Sequence, residues 1–202
     1  MTLLFLLILY VSITLHEYSH GWTAYKLGDP TPKESGRLTL NPLAHIDPFG
    51  TIIMPLLLII LSRGTFAFGY AKPVPINPYH FRNPKKDIMW VGLSGPLTNL
   101  CIALLLSLLA KMPFLSFIAA ALVWGVIINL VLAIFNLLPI PPLDGSRVVA
   151  ALLPYRLSYM YLKMEMAGFF IVILLIMLGF FDWFLFPLVR IMLAILGIGE
   201  MI

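Results

Sequence analysis

Apolar residues run through this chain in long blocks with short polar breaks, the pattern of helices that cross a bilayer rather than of helices with one greasy face. Crossing the hydrocarbon core takes about 20 mostly apolar residues. Blocks of that kind predict helices at Leu3–Tyr25, Ile88–Ala110, Phe114–Leu138, Met166–Phe181 and Trp183–Gly199. Lys111-Met112-Pro113 makes a tight connection between the second and third, and Asp182 separates the last two. Pro187 and Arg190 fall inside the final block, so it either spans or lies in the interface. Pro48–Ser62 is apolar but only 15 residues long with Pro55 near its middle, which suits a re-entrant segment as well as a sixth span. Thr65–Ala71 alternates aromatic and small side chains, which fits a half-buried strand and equally an interfacial aromatic belt. The expected fold is an all-α polytopic membrane protein: about five transmembrane helices, a short re-entrant or sixth membrane helix at 48–62, and a small β element around 64–76.

Composition sharpens that picture. Hydrophobic residues make up 61% of the 202 and charged residues 11%, with a mean hydropathy of +1.00. Soluble domains average about 45–50% apolar and about 25% charged, so a soluble enzyme, a disordered chain and a coiled coil are excluded. The length suits a single domain, 1–202, with no repeat or low-complexity tract; 29–48 and 69–84, rich in Pro, Asn and Gly, read as ordered turns. No Lys or Arg precedes the apolar N-terminal run and no small-x-small site follows it, so this run is expected to stay as a helix. Cys101 is the single cysteine, which excludes an intrachain disulfide.

The net charge is +4, carried in short loops between apolar blocks, so it reports membrane orientation and not a nucleic-acid partner. If 48–62 spans, eight basic residues (Arg63, Lys72, Arg82, Lys85, Lys86, Arg147, Arg156, Lys163) face four (Lys26, Lys33, Arg37, Lys111). If it does not, all of these except Lys111 share one side, with Arg190 set aside. Cytoplasmic loops carry the excess of Lys and Arg, so the five-crossing topology is expected, with the N-terminus outside and loops 22–87 and 139–164 in the cytoplasm.

The polar cluster His16-Glu17-Tyr18-Ser19-His20 is an H-E-x-x-H motif. On a helix, residues i and i+4 share a face, so both imidazoles can reach one zinc ion with the Glu between them placed as a general base. Chance would place the motif in about one chain in six hundred of this composition. A buried polar knot that packs helices is the competing reading, set against the cost of ionisable groups inside a span. A catalytic zinc site needs a third protein ligand and an open position. The other histidines are His45 and His80. Among the nine carboxylates, Asp144 stands out, at the end of Asn136-Leu137-Leu138-Pro139-Ile140-Pro141-Pro142-Leu143-Asp144-Gly145. The three prolines are expected to stop the preceding helix and hold the chain extended, and Gly145 to permit a turn that aims the carboxylate at the bundle. In the five-crossing topology the first and third helices end on the same side, so His16, His20 and Asp144 can share one metal. In the six-crossing topology they lie roughly a membrane thickness apart.

These residues resemble the site-2 protease group of intramembrane zinc metalloproteases, peptidase family M50. The resemblance covers most of the chain: the motif at 16–20, Gly95-Pro96-Leu97-Thr98-Asn99, Asn136 to Gly145, and Leu40-Asn41-Pro42-Leu43-Ala44-His45-Ile46-Asp47-Pro48. It implies His16, His20 and Asp144 as ligands of one Zn2+ per chain and Glu17 as the catalytic carboxylate. It also implies cleavage of transmembrane protein substrates within the cell (inner) membrane, near its cytosolic side. Family members often carry a PDZ or CBS domain, and neither is expected in these residues.

In that frame Glu17 would take a proton from the attacking water and pass it to the leaving amine. Asn136 is the candidate second donor to the oxyanion, with an interhelical hydrogen bond as its equal alternative. Asn99 and Asn129 read as structural, and Gly92, Ser94 and Gly95 as close packing. His45 either guides substrate or transiently contacts the metal, or it caps a turn beside Asp47-Pro48. A substrate helix must unwind before cleavage, and strand addition to 65–71 would satisfy its freed backbone. Membrane lipid and a transmembrane protein are the expected partners, nucleic acid is not, and a homo-oligomer is left open. The competing functions are a catalytically silent homologue and a membrane protein for metal binding or transport.

Overall fold

A computed structural model describes residues 2–61, 63 and 69–199. The first apolar block forms α1 (Thr2–Lys26), which carries the H-E-x-x-H motif in its C-terminal half. Gly28, with φ of 109°, turns the chain out of it. A short α2 (Thr31–Glu34) follows. Asp47 caps the next helical stretch by accepting the Gly50 amide at 2.7 Å. That stretch is a π-turn, Pro48–Ile53, running into α3 (Met54–Leu61). Fourteen residues reach roughly 20 Å at the helical rise, short of the roughly 30 Å of hydrocarbon. Residues 48–61 thus form a short helical stretch below spanning length.

Asn83 caps the long α4 (Pro84–Ala110) and Pro84 opens it, a sound start because the missing amide of a first-turn proline would have no partner anyway. A single 3₁₀ stretch, Pro113–Ile118, leads into α5 (Ala119–Asn136). These two elements, Pro84–Ala110 and Pro113–Asn136, are long and apolar enough to cross a membrane. A third passes if α7 (Tyr155–Leu162) and α8 (Glu165–Met177), bent by 60°, are one broken span. The last block is interrupted: Gly179 takes φ of 79°, a π-turn occupies Phe181–Leu185, and α9 runs only from Phe186 to Ile195. Among the described residues two or three elements are therefore long and apolar enough to cross a membrane, and the expected five are not all reproduced as uninterrupted helices.

No strand occurs among the described residues. Of the β element expected around 64–76, residues 64–68 lie outside the described residues, and 69–76 are irregular. That irregular segment is pinned by single bonds: the Tyr70 amide to the Gly50 carbonyl at 3.1 Å, and the Lys72 amide to the His45 carbonyl at 2.9 Å.

The packing is arranged as lipid demands. α4 lies between α1, α5 and α6 (Asp144–Leu152). Its buried face carries Gly92, Gly95, Asn99, Ala103 and Ser107, small or polar residues that let backbones approach. Large side chains such as Leu7, Leu105 and Trp124 face outward. Lipid is as apolar as they are, so nothing drives them inward.

The α5–α6 connection departs from the sequence expectation. Residues 137–143 turn instead of running extended, closed by the Ile140 amide to the Leu138 carbonyl and the Leu143 amide to the Ile140 carbonyl, both 2.8 Å. The Tyr161 hydroxyl also donates to the Pro139 carbonyl at 2.8 Å. Gly145 is the second residue of α6, and its value is closeness: a Cβ there would collide with the Leu137 carbonyl group.

Candidate metal centre

His16 and His20 lie one turn apart on α1, and Asp144 opens α6. All three are buried, at 7%, 3% and 7% exposure. The two Nε2 atoms are 3.0 Å apart, and each is 3.1 Å from Asp144 Oδ2. These are the ligand candidates of the motif reading, drawn together from stretches more than a hundred residues apart, and no other His/Cys/Asp/Glu triad of this kind occurs among the described residues.

What faces the centre of that triangle follows from hydrogen-bond polarity. The Gly125 carbonyl can only accept, so it takes an N–H from Asn129 Nδ2 at 2.8 Å. The same amide nitrogen donates to Ser12 Oγ at 2.9 Å. Asn129 Oδ1 is thereby turned to Asn99, whose Nδ2 donates to it at 2.8 Å. Asn99 Oδ1 is then left to accept from His16 Nδ1 at 2.5 Å. His20 Nδ1 donates to the Val91 carbonyl at 2.6 Å. In the neutral imidazoles both protons sit on Nδ1, and both Nε2 atoms present lone pairs. Two lone pairs and a carboxylate oxygen 3.0–3.1 Å apart repel one another unless a cation lies between them. Tetrahedral zinc with ligands at about 2.0–2.2 Å wants donor atoms roughly 3.3–3.6 Å apart. The triangle is only slightly tighter, and the donor set of two imidazoles and a carboxylate is one that catalytic zinc uses.

Space for the ion comes from α4. A Cβ on Gly95 would meet His16 Nε2 at 2.7 Å and press on His20 Nε2 as well. A Cβ on Gly92 would meet the Asp144 carbonyl and Arg147 Cβ, each at 2.9 Å, so Gly92 lets α6 lie against α4. The Ser94 hydroxyl donates to the same Val91 carbonyl at 2.7 Å. Arg147 approaches the other carboxylate oxygen of Asp144 at 3.7 Å.

Beside the triangle lies a cavity of about 520 Å3 whose walls include His16, Glu17, Tyr70, Ala71, Asn136 and Phe169. Glu17 is half-buried, and its Oε2 accepts the Val74 amide at 3.0 Å. Among the described residues Asn136 makes no interhelical bond: its Nδ2 donates to Leu132 O on its own helix at 2.9 Å. His45 stands apart from the centre. Its Nε2 donates to the Thr39 carbonyl at 3.0 Å and its own carbonyl holds Lys72, so it organises a turn. His80 likewise pairs with Asp29, at 2.9 Å, and not with the triad.

The structure brings together His16, His20 and Asp144, as the sequence led one to expect, and adds the groups that orient them. Asn99 and Asn129 are the hydrogen-bond supports of His16, and Gly95 is a cradle as well as a packing residue. The signal lay in spacing: Gly92, Gly95, Asn99 and Ala103 recur every three or four residues, one face of a helix, with a single amide in an otherwise small stripe.

Comparison with known proteins meets this geometry. The description "Peptidase family M50" matches residues 110–179. "Putative zinc metalloprotease YwhC" of Bacillus subtilis strain 168 is 38% identical over 193 residues, covering 90% of this chain and 84% of its own. "Putative zinc metalloprotease Rip2" of Mycolicibacterium smegmatis is 32% identical over 184 residues, 89% of this chain and 68% of its own. "Zinc metalloprotease MJ0392" of Methanocaldococcus jannaschii is 26% identical over 155 residues, 76% of this chain and 35% of its own. No solved structure matches. The chain belongs to peptidase family M50.

Proposed function

We propose that this chain is a zinc-dependent endopeptidase that cleaves transmembrane segments of membrane proteins within the bilayer. The observation that carries the reading is the convergence of two Nε2 lone pairs and one carboxylate oxygen beside a cavity that Glu17 also lines. The zinc-metalloprotease names of its relatives support it.

His16, His20 and Asp144 would hold the ion, which supplies Lewis acidity and lowers the pKa of a water toward about 7. Glu17 takes the proton of the attacking water and returns it to the leaving amine, a role worth typically about 10²–10⁴ in rate. The Val74 amide keeps one Glu17 oxygen fixed and leaves the other for this exchange. Asn136 spends its Nδ2 on Leu132 through one of two N–H bonds, and the second can stabilise the oxyanion from the cavity wall.

The substrate enters as an unwound, extended segment. Ala71 lines the cavity, and its amide and carbonyl have no hydrogen-bond partner among the described residues. Strand addition along 69–74 would satisfy both chains' backbone groups there. The whole of 1–202 acts as one domain, multi-pass, with its N-terminus outside and the site near the cytoplasmic face.

The test joins zinc analysis with cleavage of a tethered transmembrane substrate, on wild type and Glu17→Gln. Equal zinc and a loss of cleavage by about 10²-fold or more are expected. A wild type that binds zinc and cuts nothing would mark a silent homologue, and cleavage surviving Glu17→Gln would remove Glu17 from its role. For the substrate edge, Ala71→Pro deletes one amide; unchanged cleavage would discard strand addition.

A further inference from the structure

A second cleft, of about 500 Å3, opens between the last turn of α1 and the first turn of α4. It takes no part in the chemistry above. Lys26, Arg82 and Lys86 line it, with Gly28, Asn83 and Trp90. Among the described residues no carboxylate stands within ion-pair distance of any of these three cations. Asp87 also borders the cleft, but its Oδ2 is engaged by the Asn83 amide at 2.9 Å, within the cap of its own helix. The cleft is therefore a concave surface on which three cations face a single carboxylate, and none of the three is ion-paired among the described residues.

Its depth is marked by tryptophan. Trp90 is 44% exposed on its wall. Trp22, one turn before Lys26, is 47% exposed, with the Lys26 ammonium 5.4 Å from its ring centre. Half-exposed indoles at the ends of apolar helices sit at the headgroup level of a bilayer, one edge in acyl chains and the N–H in water. Behind them Leu27 packs on the apolar cluster of Ala24, Phe81 and Val91, so the floor of the cleft is fixed to the bundle. A rigid basic concavity at that depth faces lipid phosphates before it faces anything in solution.

We propose that this cleft binds the phosphodiester of an anionic phospholipid headgroup. A free phosphate ion shares the anionic chemistry, but the two flanking indoles favour a ligand that arrives with acyl chains. The inference rests on the chain residing in a membrane and is independent of proteolysis, because binding can be read without zinc or substrate.

The test is native mass spectrometry of the purified full chain, released from detergent after equilibration with phosphatidylglycerol or with phosphatidylcholine of the same acyl chains. Phosphatidylglycerol is expected to bind at least about tenfold more tightly. The triple variant Lys26→Gln, Arg82→Gln, Lys86→Gln should lose that preference, while Arg156→Gln with Lys163→Gln, the same kind of charge loss elsewhere, should keep it. Millimolar inorganic phosphate should leave the lipid adduct in place. Where the triple variant aggregates, Arg82→Gln alone carries the comparison, with a loss of about fivefold. Equal binding of the two lipids by wild type, an unaltered preference in the triple variant (or in Arg82→Gln where that stands in for it), or displacement by inorganic phosphate would each overturn the proposal.

Discussion

At the scale of single residues, the centre is an exercise in deciding where protons are not. Each imidazole is prepared from behind by an acceptor, Asn99 Oδ1 for His16 and the Val91 carbonyl for His20. Removing such a support typically weakens a metal site about 10–100-fold. Asn99→Leu should therefore lower zinc affinity by that factor in a chelator-competition titration, with Asn129→Ala weaker in the same direction; affinity equal to wild type would deny the relay. Gly95→Ala tests the space rather than the orientation. Its methyl would occupy the gap between the two Nε2 atoms, so the variant should stay folded in detergent yet hold no zinc by elemental analysis. The convergence of His16, His20 and Asp144 was legible in the sequence because metal chemistry fixes residue type and, for the two histidines, helical spacing. Asn99 and Asn129 were not, because an amide in an apolar helix packs helices as readily as it orients a ligand. Only the polarity of its partners tells the two apart.

Among the elements, the joint after α1 shows a polar lock at the edge of the bundle. Asp29 is fully buried and accepts the Thr31 amide at 3.0 Å, the Asn77 amide at 2.7 Å and His80 Nδ1 at 2.9 Å. Burial pushes its carboxyl up, but hydrogen bonds from Thr31, His80 and Asn77 outweigh burial and hold it below the ordinary value of 3.8. A carboxyl held low in the folded state stabilises fully above its unfolded value, and that contribution fades as pH falls through the folded one. Melting in detergent from about pH 5 down to about pH 3 should lose stability in wild type. Asp29→Asn should start lower and show a flatter acid limb; parallel curves would assign the acid loss elsewhere. The sequence marked 29–48 and 69–84 as ordered turns, and the lock that joins them is built from residues 48 apart, a pairing that local patterns do not contain. The same limit applies to residues 137–143. Three prolines rightly ended α5 there, but whether the chain then ran straight or turned depended on Tyr161 and Gly168 reaching it from later helices. A Cβ on Gly168 would strike the Pro141 carbonyl, so Gly168→Val should displace that turn and cost about 1–3 kcal/mol of stability, read as a lowered melting temperature.

For the whole molecule, the apolar blocks announced a membrane protein, while the number of crossings depended on breaks that hydropathy does not weigh. Gly179 and the π-turn at Phe181–Leu185 divide the C-terminal region, and the helix at 48–61 is too short to cross by length. Charge bias still gives a definite expectation. In a Cys101→Ser background, a single cysteine at Lys33, Tyr79 or Arg156 should react with a membrane-impermeant maleimide only after the cytoplasmic side is opened. One at Met112 should react in intact cells. Labelling from outside of a cysteine at Lys33 would overturn the five-crossing arrangement in favour of six crossings.

The support of His16 ends on the carbonyl of Gly125, a group that belongs to the main chain. No substitution can delete a peptide oxygen, so the resting tautomer is inherited from the helix itself. Variation in side chains around the bundle can loosen this inheritance only at its two amide links. Those links mark where a lineage of such chains would silence itself while leaving His16, His20 and Asp144 in place.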